Sequence, residues 1–386
     1  VGESLLPANL PIFDRLGVHD AIKKAGFLVK YGASFLDEQE GNAHTFFFAQ
    51  GKPWPPYGYQ VVRSEFDGIL LQHAADRGAA VFRETAVEHA VFRSDGVRVT
   101  VRPNGGPERA VTGAFLVDAS GRDSFLGGTL GRRERIPNLG KVALYAHFAG
   151  AQRFAGLEEG NIRIYVFEDG WFWWIPFAGD VTSVGCVLHA RTVRDREGSV
   201  EALFEAMIAR CGKVRTGLEG ARRVSPIYRS ANFSYRVLPV VGDRFLCVGD
   251  AVAFVDPIFS AGVFIAMQSA ELAAHAILAA FRDGRFRARR FRRYARQVRR
   301  GMAPFFTFMQ KYYQPAFLDI FLRPEILPPK YRAGMVDAVT TILAGGAFLS
   351  RPLWLRLRLA LIFGAARINS RIRRRRGQPV ESRLEW

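Results

Sequence analysis

Between positions 4 and 25, apolar residues recur at helix-like intervals, interrupted at Pro7 and Pro11, and predict a broken helical entry. The next run, GFLVKYGASF, alternates with period two and reads as one strand. Phe27, Val29, Tyr31, Ala33 and Phe35 share one face, and Leu28, Lys30, Gly32 and Ser34 the other. VVRSEFDGILLQHAADRGAAVF predicts a helix followed by a short strand beginning at Ala79, and VEHAVFRSDGVRVTVR predicts a hairpin turning at Asp95-Gly96. AFLVDASG and FLCVGDA are short apolar runs closed by glycine turns, the pattern of buried strands. Residues 141–189 are mostly strand-like, and Ser199 to Arg210 predicts a short helix. A long helix is predicted over Gly262 to Phe281, then basic helices beginning with FRARRFRRYARQVRR, and the run Arg373 to Arg376 reads as a loose end. There is no internal repeat and no low-complexity linker.

Composition narrows the class. Of 386 residues, 49% are apolar and 23% charged, which excludes a disordered, collagen-like or coiled-coil chain. Cys186, Cys211 and Cys247 are dispersed without a CxxC, and no HExxH occurs, so a disulfide scaffold or zinc site is not expected; the metal expectation is none. The longest stretch free of charge, Pro257 to Ala270, is 14 residues, short of a membrane span. The opening residues do not read as a signal peptide, and a reducing, cytoplasmic setting is the expectation. The net charge of +18 is uneven: residues 281–386 hold 24 Lys and Arg against 6 Asp and Glu, and residues 1–280 hold 30 against 30. A basic face on a neutral body suggests a docking surface for nucleic acid, anionic lipid or an acidic protein, against the plainer reading of a solvated helix surface.

Candidate chemistry lies at strand ends. Leu116-Val117-Asp118-Ala119-Ser120-Gly121 and Leu246-Cys247-Val248-Gly249-Asp250-Ala251 each place a carboxylate and small residues at the carboxyl edge of an α/β sheet, where nucleotides bind. Asp256-Pro257, Ser260 and Gly262 follow the second segment and open the long helix, whose free N–H groups suit an anion. Either segment alone is as readily an ordinary α/β turn. Trp171-Phe172-Trp173-Trp174-Ile175-Pro176 gathers three of the chain's six tryptophans. An aromatic core is the usual reading of such a run, as a solvated surface position is for a lone lysine such as Lys30.

Taken together, these segments resemble the flavoprotein monooxygenase fold, and more closely the flavin-dependent halogenases. The carriers are GESLLPANLPIFDRLGV, the lysine of GFLVKYGASF, the arginine helix RSEFDGILLQHAADRGAAV, the WxWxIP run at Trp171 to Pro176, and VLPVVGDRFLCVGDAVAFVDPIFSAGVF. The resemblance covers residues 1–350 and implies reduced FAD from a separate reductase, with chloride as co-substrate. It places Gly2, Glu3, Ser4, Arg63, Asp118, Gly121, Gly249 and Asp250 at the cofactor, with Asp256, Pro257, Ser260, Ala261 and Gly262 beside it. It places Trp171, Trp173 and Phe259 at the substrate tunnel, and makes Lys30 the catalytic lysine that relays hypohalous acid to an aromatic substrate. A neutral, partly desolvated amine suits that role. Two departures stand out. Phe259 occupies the position where tryptophan halogenases carry a glutamate, which argues against free tryptophan, and VLPVVGDRFLCVGDAVAFVDPIFSAGVF most resembles the branch acting on phenols or pyrroles, with an acyl or peptidyl carrier protein as an expected partner. No GxGxxG precedes Gly2-Glu3-Ser4, so the first βαβ unit is expected to be missing from this sequence.

The expected architecture is therefore α/β: a flavoprotein-monooxygenase-like FAD-binding fold with an inserted antiparallel β-sheet substrate domain and a helical C-terminal region. FAD-binding and substrate-sheet parts interleave over residues 1–280, the sheet mainly at 141–190, and the basic helical region is 281–386. The alternative is a monooxygenase, hydroxylase or reductase of the same fold that uses no halide. A lesser alternative is a basic membrane- or nucleic-acid-binding protein. In the favoured reading nucleic acid is not a specific partner, and anionic membrane competes with a carrier protein for the basic tail.

Overall fold

The run read as one strand from Phe27 to Phe35 is two. In the computed structural model, Leu28–Lys30 pairs with Gly58–Gln60, whereas Gly32–Asp37 joins a different, eight-stranded sheet. The chain changes sheets at Tyr31, whose backbone N–H donates to Asn161 Oδ1 (3.1 Å). The shared face expected for Phe27 to Phe35 is therefore lost at that residue. Gly32 permits the switch, because a Cβ there would lie 2.5 Å from the Phe46 carbonyl oxygen. The structure describes residues 2–51, 55–136, 140–196, 198–231, 234–254, 256–349 and 353–380.

The large sheet is built on the apolar strands Lys141–Ala149, Ile162–Phe167, Gly170–Pro176 and Val181–His189. It is antiparallel except where Ile162–Phe167 runs parallel to Gly32–Asp37. Gly170–Pro176 is buried along its whole length, so both faces are covered: Trp171 and Trp173 lie in the main core, Phe172 and Trp174 in a second core closed by the Val200–Arg210 helix. Ser199 caps that helix, accepting the Ala202 N–H at 3.1 Å.

Leu116–Asp118 and Phe245–Cys247 pair in parallel, which brings the two glycine turns side by side as expected of a nucleotide-binding edge. The hairpin closes at Asp95-Gly96 and gains a third strand, Arg109–Gly113. No strand begins at Ala79; residues 79–84 are irregular, with Glu84 at a positive φ of 49°.

The helical region follows: Gly262–Asp283, Ala288–Tyr312, Pro315–Leu322, Pro329–Leu343 and Leu353–Arg375. Gly262–Asp283 is long and apolar enough to cross a membrane by length and composition, and it packs against the Gly249–Ala251 turn. Ala288–Tyr312 divides its labour along its length. Its first half turns Arg289, Arg292, Arg293, Arg296, Arg299 and Arg300 outward, and its second half buries Phe305, Phe308, Met309 and Tyr312. The expected loose end at Arg373 to Arg376 is instead the last turn of a helix. Arg373 is buried and donates through Nη1 to both carboxylate oxygens of Asp319 at 2.7 Å, so an ion pair pins the segment.

Candidate active site

One cavity of about 450 Å³ collects most of the residues singled out from sequence. Gly2, Glu3, Ser4, Arg63 and Asp250 line one end. Asp256, Pro257, Ser260, Ala261 and Gly262 form the floor, and Trp171, Trp173 and Phe259 the aromatic wall. Arg122, Asp123, Met302 and Phe305 also line it and were missed. Arg122 follows the Gly121 turn directly. Met302 and Phe305 sit in a segment whose sequence reads first as basic helix, and only the apolar recurrence at Phe305, Phe308, Met309 and Tyr312 signals an inward face.

The polar end is tightly built. Gly2 adopts φ +83°, where any side chain is strained, and a Cβ there would also push aside the Arg63 guanidinium 2.5 Å away. Arg122 and Arg63, which also line the cavity, act electrostatically on Asp250. Burial raises the Asp250 carboxyl from 3.8 to about 6, and the two guanidinium groups oppose the rise. The floor is a 3-10 turn, Pro257–Phe259, capped by Asp256 Oδ1, which accepts the Ile258 N–H at 3.2 Å. Ser260 then takes a positive φ of 54°, and the 22-residue helix starts at Gly262 with no side-chain cap. Its free N–H groups and dipole point at the cavity.

Asp118, Gly121 and Gly249 stand behind this lining. Asp118 accepts from Ser120 N (2.9 Å), Ser120 Oγ (2.5 Å) and Leu126 N (2.8 Å), and Gly249 N donates to Ser269 Oγ (2.8 Å). Gly121 supplies a positive φ of 63° in the turn between Asp118 and Arg122. These residues hold the turns that the cavity residues occupy.

Lys30 also stands behind the wall. It is 1% exposed, and its Nζ donates to Ser4 Oγ (2.7 Å) and to the Leu5 carbonyl (3.1 Å). The Phe48 ring lies 5.3 Å away and no carboxylate is among these contacts. Burial alone lowers the amine from 10.5 to about 7. The small-residue surroundings read from its strand face are only part of its setting; Ser4, Leu5 and Phe48 come from other segments.

Two buried networks tie the aromatic wall to distant parts of the chain. Trp173 Nε1 donates to Ser183 Oγ (3.1 Å), which donates to Glu3 Oε2 (2.8 Å), and His147 Nε2 lies 3.0 Å from Glu3 Oε1. Burial pushes the Glu3 carboxyl up, but hydrogen bonds from His147 and Ser183 and nearby positive charge outweigh it, leaving it below its ordinary 4.5. In the second network Trp171 Nε1 donates to Tyr313 Oη (3.0 Å), which donates to Asp256 Oδ2 (2.6 Å). Neither His147 nor Tyr313 carries a sequence signal of its own.

The tryptophan halogenase family model matches residues 53–317. Over 360 residues the chain is 30% identical to a 1H-pyrrole-2-carbonyl peptidyl-carrier protein chlorinase of Pseudomonas fluorescens, covering 87% of this chain and 80% of that protein. It is 32% identical to the corresponding brominase of Pseudoalteromonas luteoviolacea, over 72% of this chain and 68% of the relative. Among solved structures, the flavin-dependent halogenase CmlS superposes with a TM-score of 0.78 at 30% identity, covering 94% of this chain and 70% of that one. The match spans the arginine helix, the Trp171 strand and the Ser260 turn, which line the cavity together with Gly2, Glu3 and Ser4 ahead of it. The chain belongs to the tryptophan halogenase family of flavin-dependent halogenases and is an FAD-dependent oxidoreductase.

Proposed function

We propose that this halogenase acts on a phenolic or pyrrolic ring presented on a carrier protein, with Lys30 relaying the halogen. The observation that carries the reading is the buried Lys30 amine, lowered to about 7 and one hydrogen bond from Ser4 on the wall of an aromatic-lined cavity.

The residues present fit a flavin. The cavity joins an apolar, aromatic wall to an end where Arg63, Arg122 and an uncapped helix N-terminus favour anionic and polyol groups. When bound, reduced FAD supplies with dioxygen the oxidising equivalents that convert halide to hypohalous acid. Arg63, Arg122 and Asp250 would hold its polar chain. Backbone N–H groups of Ala261 and Gly262 would hold chloride, the Ser260 N–H being donated to the Pro257 carbonyl at 2.8 Å. Near pH 7 the Lys30 amine is partly neutral, and a neutral amine takes halogen from hypohalous acid with release of water, or holds the acid by a hydrogen bond. Halogen transfer to the ring then breaks the nitrogen–halogen bond; the nitrogen takes up one proton and the ring gives one up, so the neutral amine returns with no net change in protons. Phe259 makes this part of the wall apolar, packing edge-on against Tyr312 (5.4 Å between centroids), which favours a substrate needing no carboxylate there.

The test supplies reduced FAD, dioxygen and chloride or bromide, traps hypohalous acid with a diketone, and compares free with carrier-tethered pyrroles and phenols. Halide-dependent trapping and faster turnover of a tethered ring are expected; hydroxylated product without halide dependence would sink the reading.

Two relatives are described as acting on carrier-bound pyrrole, and the Ala288–Tyr312 helix offers a face for such a partner. Its six outward arginines have no acidic partner among the described residues, and no large apolar side chain is exposed on this helix. Such a surface steers an acidic protein through charge alone. The triple variant R292E/R296E/R299E is expected to raise KM for a carrier-tethered substrate at least about tenfold, more at low salt, and leave a free analogue unchanged. Equal losses on both substrates would reject the docking face. A separate reductase as source of reduced FAD, and a reducing compartment, complete the reading; the three cysteines, all buried free thiols, support the latter.

A further inference from the structure

The exposed half of the Leu353–Arg375 helix differs in kind from the arginine face just described. Its buried side is fixed: Leu355, Ile362 and Ala366 pack inward, and Arg373 is paired with Asp319. Asn369 Nδ2 adds a bond to the Ala316 carbonyl at 3.0 Å, and Arg358 pairs with Asp337. The helix thus lies down on Pro315–Leu322 and Pro329–Leu343 with a defined outward face.

On that face Leu353, Leu357, Leu361, Ile368 and Ile372 fall within about 100° of arc and form a ridge roughly 28 Å long. Leu361 is 59% exposed and Ile368 60%, well beyond what scattered surface aliphatics need. Arg356, Arg367 and Arg374 run in a column alongside, and Arg371 and Arg375 stand within the ridge. The helix carries seven arginines and no acidic residue, and these five have no acidic partner among the described residues.

We propose that this face is a membrane-surface anchor that lies in the interface of an anionic lipid bilayer, without crossing it. Aliphatic side chains standing in line on a convex helix offer no groove for a protein's side chains, but a fluid acyl layer moulds around them. The flanking guanidinium groups sit at headgroup depth, where lipid phosphates and carboxylates bind them. An acidic protein would satisfy the arginines and leave the aliphatic ridge in water, which is why the Ala288–Tyr312 face, lacking such a ridge, suits a protein and this one a lipid surface.

The experiment is vesicle co-sedimentation of the full chain with phosphatidylcholine alone and with phosphatidylserine mixed in. The protein is expected to partition onto the mixed vesicles and at least about tenfold less onto phosphatidylcholine. L361Q/I368Q and R367Q/R371Q/R374Q should each lower partition at least about tenfold, with unchanged melting temperature and unchanged turnover of a free substrate, because the altered side chains face water. Indifference to phosphatidylserine, or variants that partition like wild type, would overturn the anchor. So would variants that raise KM for a carrier-tethered substrate while vesicle partition holds, since that outcome assigns the face to an acidic protein.

Discussion

Lys30→Met is expected to lower halogen transfer to substrate at least about a thousandfold while reduced flavin is still oxidised at the wild-type rate. Methionine fills the lysine's volume and keeps the Leu28–Lys30 strand paired, so the loss isolates the amine rather than the packing. The same substitution should make the protein more stable on the acid side of about pH 7. Lowering the folded amine from 10.5 to about 7 costs on the order of 5 kcal/mol below that pH and on the order of 3 kcal/mol at about pH 8. Against this stand the buried Ser4 hydroxyl and Leu5 carbonyl, each left without its amine donor at about 1–3 kcal/mol, so the net gain is confined to the acid side of about pH 7. Because the unfolded chain holds this proton up to 10.5 and the folded chain releases it near 7, wild-type stability rises with pH between those values; the methionine variant lacks that slope. Product analysis and denaturant unfolding across this range check both halves. A variant that halogenates at the wild-type rate, or keeps the pH slope, would remove Lys30 from the proposed relay.

Tyr313→Phe is expected to destabilise the fold by about 2–4 kcal/mol, because one hydroxyl satisfies two buried groups at once. Its loss orphans Trp171 Nε1 and strips Asp256 of a 2.6 Å hydrogen bond. Burial already raises the Asp256 carboxyl above its ordinary range, with Tyr313 chief among the groups holding it down, so the variant drives it further towards the protonated form. Both partners line the cavity, so flavin affinity should fall together with stability. Thermal unfolding and flavin titration read the two effects. An unchanged melting temperature with unchanged affinity would mean the network holds neither the wall nor the floor.

Much of the site was legible because neighbours within a few residues specify it. The Gly249-Asp250 turn, the Asp256 to Gly262 helix start and the Trp171 to Pro176 strand are local patterns; parallel pairing of Leu116–Asp118 with Phe245–Cys247 sets the first beside the Gly121 turn, and the Trp171 strand reaches the same cavity from the separate large sheet. Residues whose role comes from a distant partner were not legible. His147 sits in an apolar strand with nothing nearby to mark it, and it matters because Glu3, 144 positions earlier, turns a buried carboxylate towards it. Tyr313 ends a helix that opens as a basic segment, and it matters because Asp256 and Trp171 meet at its hydroxyl.

By itself the sequence determined the alternation of strands and helices, the placing of the whole charge excess after residue 280, and the local turns and aromatic strand that line the cavity. These are carried by spacings of two to four residues and by composition, which do not depend on what packs against them. The tertiary structure alone decided that the chain changes sheets at Tyr31, that Lys30 is sealed behind Ser4 and so loses its proton near neutrality, and that the final arginine run is pinned by Asp319. It also decided that two basic helices show unlike faces, one of bare arginines and one with an aliphatic ridge. Each of these depends on strand pairing or burial between residues far apart in the chain, and desolvation, which sets a buried amine's charge, is a property of the packed surroundings rather than of the residue.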